Sequence, residues 1–269
     1  MCGAAQARSG GRRMALLLEY DGTAYSGSQY QDNGPSIQSE LEVAIGKLTG
    51  DASRAAFAGR TDAGVHALGQ VASFVTASAL SEAQFVSGLN HFLPEDIAVR
   101  AARDVEREFD PRRHARHRVY RYRIDNRPAR SPLLRERAWH VDRGLDLDEM
   151  ARTARRLQGP HDFAAFAGPY EGSTERTLRR CDLSVACGQV TLEMEALAFL
   201  PHQVRRTAGA LVEVGLGRNT GDALVALLGP GGTGSAGPAA PTHGLYLVRV
   251  EYEGLDFGSG GESGNGRDA

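Results

Sequence analysis

The chain has 269 residues and a formal net charge of −2, long enough for one large core or two modest ones. Its 41% apolar and 24% charged content excludes a disordered or collagen-like chain. No apolar run is long enough to span a bilayer, the first residues lack a signal-peptide core, and three unpatterned cysteines make neither a disulfide framework nor a zinc site, so a reduced, cytoplasmic setting is expected.

Charge is unevenly spread. Between positions 99 and 143, fourteen arginines stand against seven Asp and Glu, and Lys47 is the single lysine of the chain. A GC-rich coding sequence explains that ratio as well as a need for guanidinium does. Either way, a basic band on an otherwise acidic protein points to a polyanionic partner.

In chain order, residues 1–13 are expected to form a disordered tail, with Met14 a candidate natural start because the first strand pattern begins there. Positions 14–20 read as a strand ending in the turn "YDG". Ser36 caps a helix with Ile37, Leu41, Ala44, Ile45 and Leu48 on its apolar face, closed by Gly50. Then comes "FAGRTDAGVHALGQVASF" at 57–74, a glycine-punctuated loop between two strand-like runs. Ser81 and Gln84 make a capping box for a helix that stops at Pro94, and 97–103 is a further strand.

The second half has a similar order. Positions 119–125 alternate, with Tyr120, Tyr122 and Ile124 on one face and Arg121 and Arg123 on the other. Asp146 and Glu149 open a helix, 178–185 and 190–199 pair around "CGQ", a helix covers 201–214, and 245–252 is a final strand. The segment "GPGGTGSAGPAAPTHG" at 229–244 reads as a flexible connection and 258–269 as a disordered tail. The expected fold class is α+β: an N-terminal α/β lobe at 14–109 carrying the Asp62 loop and a C-terminal α/β lobe at 110–257, sharing an antiparallel sheet.

A loop between strands is a common place for chemistry, and this one holds Arg60, Asp62 and His66. The plain alternative is a surface ion pair of Arg60 with Asp62. His114 and His117 have a metal-ligand spacing but lie among arginines, which repel a cation. "GLGRNTG" at 215–221 follows a helix rather than a strand, which removes the dinucleotide-loop context. No phosphate loop, metal site or redox motif is present, so no metal and no cofactor is expected, and any chemistry falls to side chains alone. Tyr120 reads equally as a core aromatic with its hydroxyl at the rim, and Arg205 as part of a solvated helix face.

"AGRTDAGVHALGQVASF", with "EYDGTAYSG", "LPEDIAVR", "VYRYRI", "DFAAF", "RTLRRC", "VRRTAGALVEVG" and "HGLYLVRVEY" in the same order, resembles the TruA family of tRNA pseudouridine synthases from about position 14 to 252. The resemblance implies two α/β lobes on an extended antiparallel sheet with helices on one face and a basic cleft between. It implies a homodimer that binds tRNA at the anticodon stem–loop, with no membrane partner. By the same resemblance Asp62 is the catalytic carboxylate, Arg205 the cation beside it and Tyr120 the ring packed on the base. Arg60, Leu245 and His66 join Tyr120 as substrate-binding residues: Arg60 helps extract the nucleotide, Leu245 closes the pocket, and His66 lies in the motif loop, where a structural hydrogen bond is expected of it before proton transfer.

Ser28 stands where the family usually carries tryptophan. Pro111, Arg113 and His114 stand where small or apolar residues are common, and Pro201 near a helix start that is often basic. The leading expectation is conversion of uridine to pseudouridine at tRNA positions 38, 39 and 40. Two others compete: the same chemistry on another RNA or a free uridine nucleotide, and a non-catalytic RNA-binding protein of this fold.

Overall fold

The computed structural model describes residues 11–32, 34–229 and 231–258. In the first half, β1 (Arg12–Tyr20), α1 (Ile37–Thr49), β2 (Ala56–Phe57), β3 (His66–Thr76), α2 (Glu82–Phe92) and β4 (Ile97–Val105) follow the expected order. β1 begins two residues before Met14, because Arg12 and Arg13 pair with Thr76 and Val75. Both expected helix starts are capping boxes, at Ser36 and at Ser81 with Gln84. Gly50 ends α1 at φ 75°, a conformation that only glycine takes without strain.

The second half runs β5 (Ala115–Asp125), β6 (Trp139–His140), α3 (Leu147–Arg156), β7 (Gly159–Asp162), β8 (Glu175–Ala186), β9 (Gln189–Ala196), α4 (Gln203–Gly215), α5 (Gly221–Val225) and β10 (Leu245–Tyr252). Two features depart from expectation. The strand β7, "GPHD", has no apolar alternation and contains Pro160; it pairs with β8 alone at the sheet edge, where a missing N–H is tolerated. The segment 229–244 is not a free connection in its described part. Gly234 and Ala236 donate to Ala164 and Ala165, Ala240 donates to Arg205, and the Arg206 guanidinium donates to Gly234 and Gly237 carbonyls. Glycine and proline there allow close backbone docking rather than looseness: a β-carbon on Gly209 of α4 would stand 2.7 Å from the Pro238 oxygen.

Among the described residues the strands form one sheet in the order β4-β1-β3-β10-β5-β9-β8-β7, with β2 on β3 and β6 on β5. Pairing is mostly antiparallel, but β3 and β10, which join the two halves, are parallel. Register carries a buried row across the sheet through Tyr20, Ala67, Leu247, Tyr120, Met194 and Cys181. Strand side chains alternate, so the opposite face holds His66, Tyr246, Arg121, Glu193 and Asp182. Tyr120 and the arginines Arg121 and Arg123 thus part to opposite faces, as the alternation predicts.

The parallel joint leaves no room for a side chain at Gly69. A β-carbon there would stand 2.5 Å from the Val248 carbonyl oxygen, and neither backbone can turn away. Gly69→Ala is expected to destabilise the protein by about 1–3 kcal/mol, the usual range for overpacking. Urea unfolding measures this, and an unchanged midpoint would show that the joint yields.

Candidate active site

The loop between β2 and β3 is held by its backbone. Ala58 donates to Val71, and its carbonyl accepts from Arg118 Nη2 at 2.7 Å. Gly59 carbonyl accepts from Gln70 Nε2 at 2.8 Å. Thr61 N–H donates to the Ser28 hydroxyl at 2.8 Å, while Ser28 N–H donates to Thr61 carbonyl at 3.1 Å. Ser28 is buried, so the residue that replaces the bulky aromatic anchors the loop by a reciprocal pair of hydrogen bonds instead. Gly27, at φ 113°, admits this approach, since a β-carbon would stand 2.8 Å from the Thr61 oxygen. The turn closes with Val65 N–H on the Asp62 carbonyl at 3.1 Å.

Out of this rigid frame Asp62 projects its carboxylate, 44% exposed. Arg205, 143 residues away on α4, donates Nη1 to Asp62 Oδ2 at 2.9 Å. The other side of that guanidinium is fixed as well, Nε donating to Ala240 carbonyl at 2.8 Å. The 229–244 segment therefore aims Arg205. A third group was not foreseen from the sequence: His202 Nε2 lies 3.6 Å from the same Oδ2. All these contacts come from the first turn of α4, whose unpaired N–H groups add positive potential beside the carboxylate.

Tyr120 is buried on the face of Leu245 and Leu247, with its ring edge-on to Phe199 at 5.2 Å. Burial pushes its hydroxyl well above the ordinary 10, and the charges of Tyr20 and Asp62 add to the rise despite Arg118. The hydroxyl is therefore neutral at physiological pH. Leu245 is buried at the start of β10, opposite Tyr122 in register. Arg60 is exposed at the head of the loop and makes no ion pair among the described residues. Asp62 and Arg205 thus meet, and the charge of Asp62 reaches the Tyr120 hydroxyl; Leu245 lies on the Tyr120 face of the sheet, and Arg60 is exposed. His114 and His117 do not converge: His114 Nδ1 accepts from Asp110 N–H, and His117 Nε2 meets Arg179.

His66 stands apart. It is the first residue of β3 and turns to the opposite face, stacked on Tyr246 at 4.7 Å. Gly22 N–H donates to Nδ1 at 3.2 Å, and Nε2 reaches the His243 carbonyl at 3.2 Å. Those partners suit the neutral ring protonated on Nε2. Asp21 lies 3.0 Å from Nδ1 and favours the charged ring, but burial outweighs it and lowers the pKa of His66. A structural hydrogen bond is its observed role.

Part of the basic band is engaged within the molecule. Arg100, Arg103, Arg121 and Arg137 meet Glu19, Glu82, Glu193 and Asp21, all from outside the band. Arg118 is buried and turned wholly to carbonyls, those of Ala58, Arg112 and Leu197. The local charge excess therefore overstates what is free to meet an anion.

A solvent-open carboxylate paired with a guanidinium, its charge felt by a buried tyrosine, is the candidate site. The chain matches the family described as tRNA pseudouridine synthase over residues 16–112 and 153–253. It is 48% identical over 246 residues to tRNA pseudouridine synthase A of Roseiflexus castenholzii, covering 90% of this chain and 91% of that protein. The protein of the same name from Myxococcus xanthus is 46% identical over 243 residues, covering 89% and 92%. That of Geotalea uraniireducens is 42% identical over 243 residues, covering 90% and 100%. The chain belongs to the tRNA pseudouridine synthase family. It is an isomerase that converts uridine of tRNA to pseudouridine. No helix among the described residues is long and apolar enough to cross a membrane.

The neutral burial of His66 has a pH signature. The unfolded chain takes up the proton near the ordinary value of about 6.5, whereas the folded chain resists it. Below that value the unfolded state binds more protons, so stability falls as pH falls; above it the contribution is complete. The urea midpoint of the wild type should drop between about pH 7.5 and about pH 5.5 by more than that of His66→Gln. Equal drops would show that His66 titrates alike in both states.

Proposed function

We propose that this enzyme uses Asp62 as its reacting carboxylate on uridines 38, 39 and 40 of the tRNA anticodon arm, working in the cytoplasm as a homodimer that grips one tRNA. On this reading the lobes 14–109 and 110–257, joined through the β3–β10 pairing, offer Asp62 and Tyr120 to one cleft. The observation that carries this reading is the Asp62–Arg205 pair at 2.9 Å, held from both sides by backbone.

The reaction breaks C1′–N1 and makes C1′–C5; C5 loses a proton and N1 gains one, so nothing is oxidised and no co-reactant is consumed. An ionised carboxylate near C1′ begins it, by attack on the sugar or by removal of the C2′ proton. Entry of the nucleotide excludes water from a carboxylate that is half open in the free protein. Taking an unpaired carboxylate out of water is costly, and the opposite charge of Arg205 offsets that cost. The Tyr120 ring supplies a flat surface for the freed uracil while it turns. Arg60 is exposed and without a carboxylate partner among the described residues, so its guanidinium is available to take the place of the extracted nucleotide.

Asp62→Asn is nearly isosteric, and it should abolish pseudouridine formation while leaving tRNA affinity within about threefold, because one loop side chain is a small part of an electrostatic footprint. Pseudouridine mapping on total tRNA, an anticodon stem–loop and free UMP reads both activity and target; product in Asp62→Asn at the wild-type rate would remove the assignment.

The logarithm of the affinity for the stem–loop should fall linearly with the logarithm of salt concentration. Arg60→Gln should make the slope shallower by about 0.7–0.9, the share of one phosphate contact. An unchanged slope would place Arg60 away from the backbone.

A further inference from the structure

α4 begins in an unusual way. Helix N-caps are commonly Ser, Thr, Asp or Asn in extended conformation, with the side chain accepting from the first turn. Here the N-cap is His202 at φ 61° and ψ 1°, with no side-chain cap. Cys187 is the one other non-glycine residue of positive φ among those described. A side chain held in the left-handed region is strained, and such strain persists where its surroundings demand it, often at functional sites.

The surroundings of His202 are specific. Gly168 N–H donates to the Pro201 carbonyl at 2.7 Å, and a β-carbon at 168 would stand 2.9 Å from His202 Nδ1. The absence of a side chain at Gly168 is therefore what admits the imidazole. Turned this way, Nε2 points to Asp62 Oδ2, the oxygen that Arg205 Nη1 already holds at 2.9 Å. Two nitrogens from one helical turn thus face one carboxylate oxygen, Arg205 Nη1 in hydrogen-bond contact and His202 Nε2 at 3.6 Å.

We propose that His202 is a positioning residue that, with Arg205, holds Oδ2 of Asp62 and leaves Oδ1 as the oxygen presented to the ribose. This rests on the reading of Asp62 given above. A carboxylate torsion is broad and twofold, so a single donor leaves the group free to swing. Two donors at different angles fix its plane. The 3.6 Å separation in the free protein exceeds a hydrogen bond; it shortens as substrate displaces water, in the way catalytic contacts tighten on binding.

His202→Gly tests this, because glycine takes φ near 60° without strain and is an acceptable N-cap. The variant should melt at or above the wild-type temperature and bind tRNA normally. Its single-turnover rate should fall by about 10-fold to 100-fold, the scale of a small misplacement of a reacting group, and added imidazole should restore part of that loss. A wild-type rate, or a lowered rate matched by an equally lowered melting temperature, overturns the proposal. Full turnover in Asp62→Asn would instead show that the assignment of Asp62 had failed, whatever His202→Gly does.

Discussion

The contact between Asp62 and Arg205 spans 143 residues and closes at 2.9 Å, and the site depends on it. As a contribution to stability it is small, because Asp62 is 44% exposed and open ion pairs contribute at most about 1 kcal/mol. Its value lies in what happens when water leaves. In the proposed reaction the nucleotide covers the carboxylate, and the same pair in a lower effective dielectric interacts several times more strongly. The free protein thus holds the pair in place before its strength is called on, which is the meaning of electrostatic preorganisation.

Placing two side chains from distant elements to within a hydrogen bond requires that neither end drift. On the Asp62 side the frame is almost entirely main chain: Ala58, Gly59 and Thr61 are each tied to a separate partner, Arg118, Gln70 and Ser28. On the Arg205 side the guanidinium is tied by Ala240, and Ala240 N–H in turn donates to the Arg205 carbonyl at 3.0 Å. Arg118 belongs to this frame. Its guanidinium joins the loop, the approach to β5 and the segment leading to α4 through the carbonyls of Ala58, Arg112 and Leu197. Burying a guanidinium among neutral acceptors is unfavourable to its charge, and its pKa is lowered by that burial; five fixed donors compensate by leaving no nearby carbonyl unpaired.

Local rules made the helices legible. Ser36 and Ser81 announce α1 and α2 through capping geometry that involves residues three apart, and β5 is readable because Tyr120, Tyr122 and Ile124 alternate with arginines. The matched motifs also pointed to Asp62 and Arg205, which the structure brings to 2.9 Å. What escaped was non-local. The 229–244 segment has the composition of a linker, and only its contacts with Ala164, Arg205 and Arg206 reveal it as a strut. The partners of the arginine band, Glu19, Glu82 and Glu193, lie too far away in sequence for a charge count to pair them. His202 was invisible for the same reason: its signal is a backbone angle and a contact with a residue 140 positions earlier, neither of which has a sequence pattern.

The two faces of the sheet divide the labour, and the division is set by a period of two residues. Tyr246 and Leu247 are neighbours in β10, yet Leu247 joins the row of Tyr120 while Tyr246 stacks on His66. One face carries mostly apolar groups, with the Asp62–Arg205 pair and the buried Arg118 guanidinium as its charges. The other carries ion pairs such as Arg121 with Glu193 at 3.2 Å. Had the parallel β3–β10 pairing slipped by one residue, the joint would place the ring of His66 and the small side chain of Ala67 against the wrong partners on both faces. Gly69 opposes such a slip, because its close approach to the Val248 carbonyl excludes any residue with a side chain from that position. The joint therefore fixes the relation of Asp62 to Tyr120 through register, before any contact between those two side chains is considered.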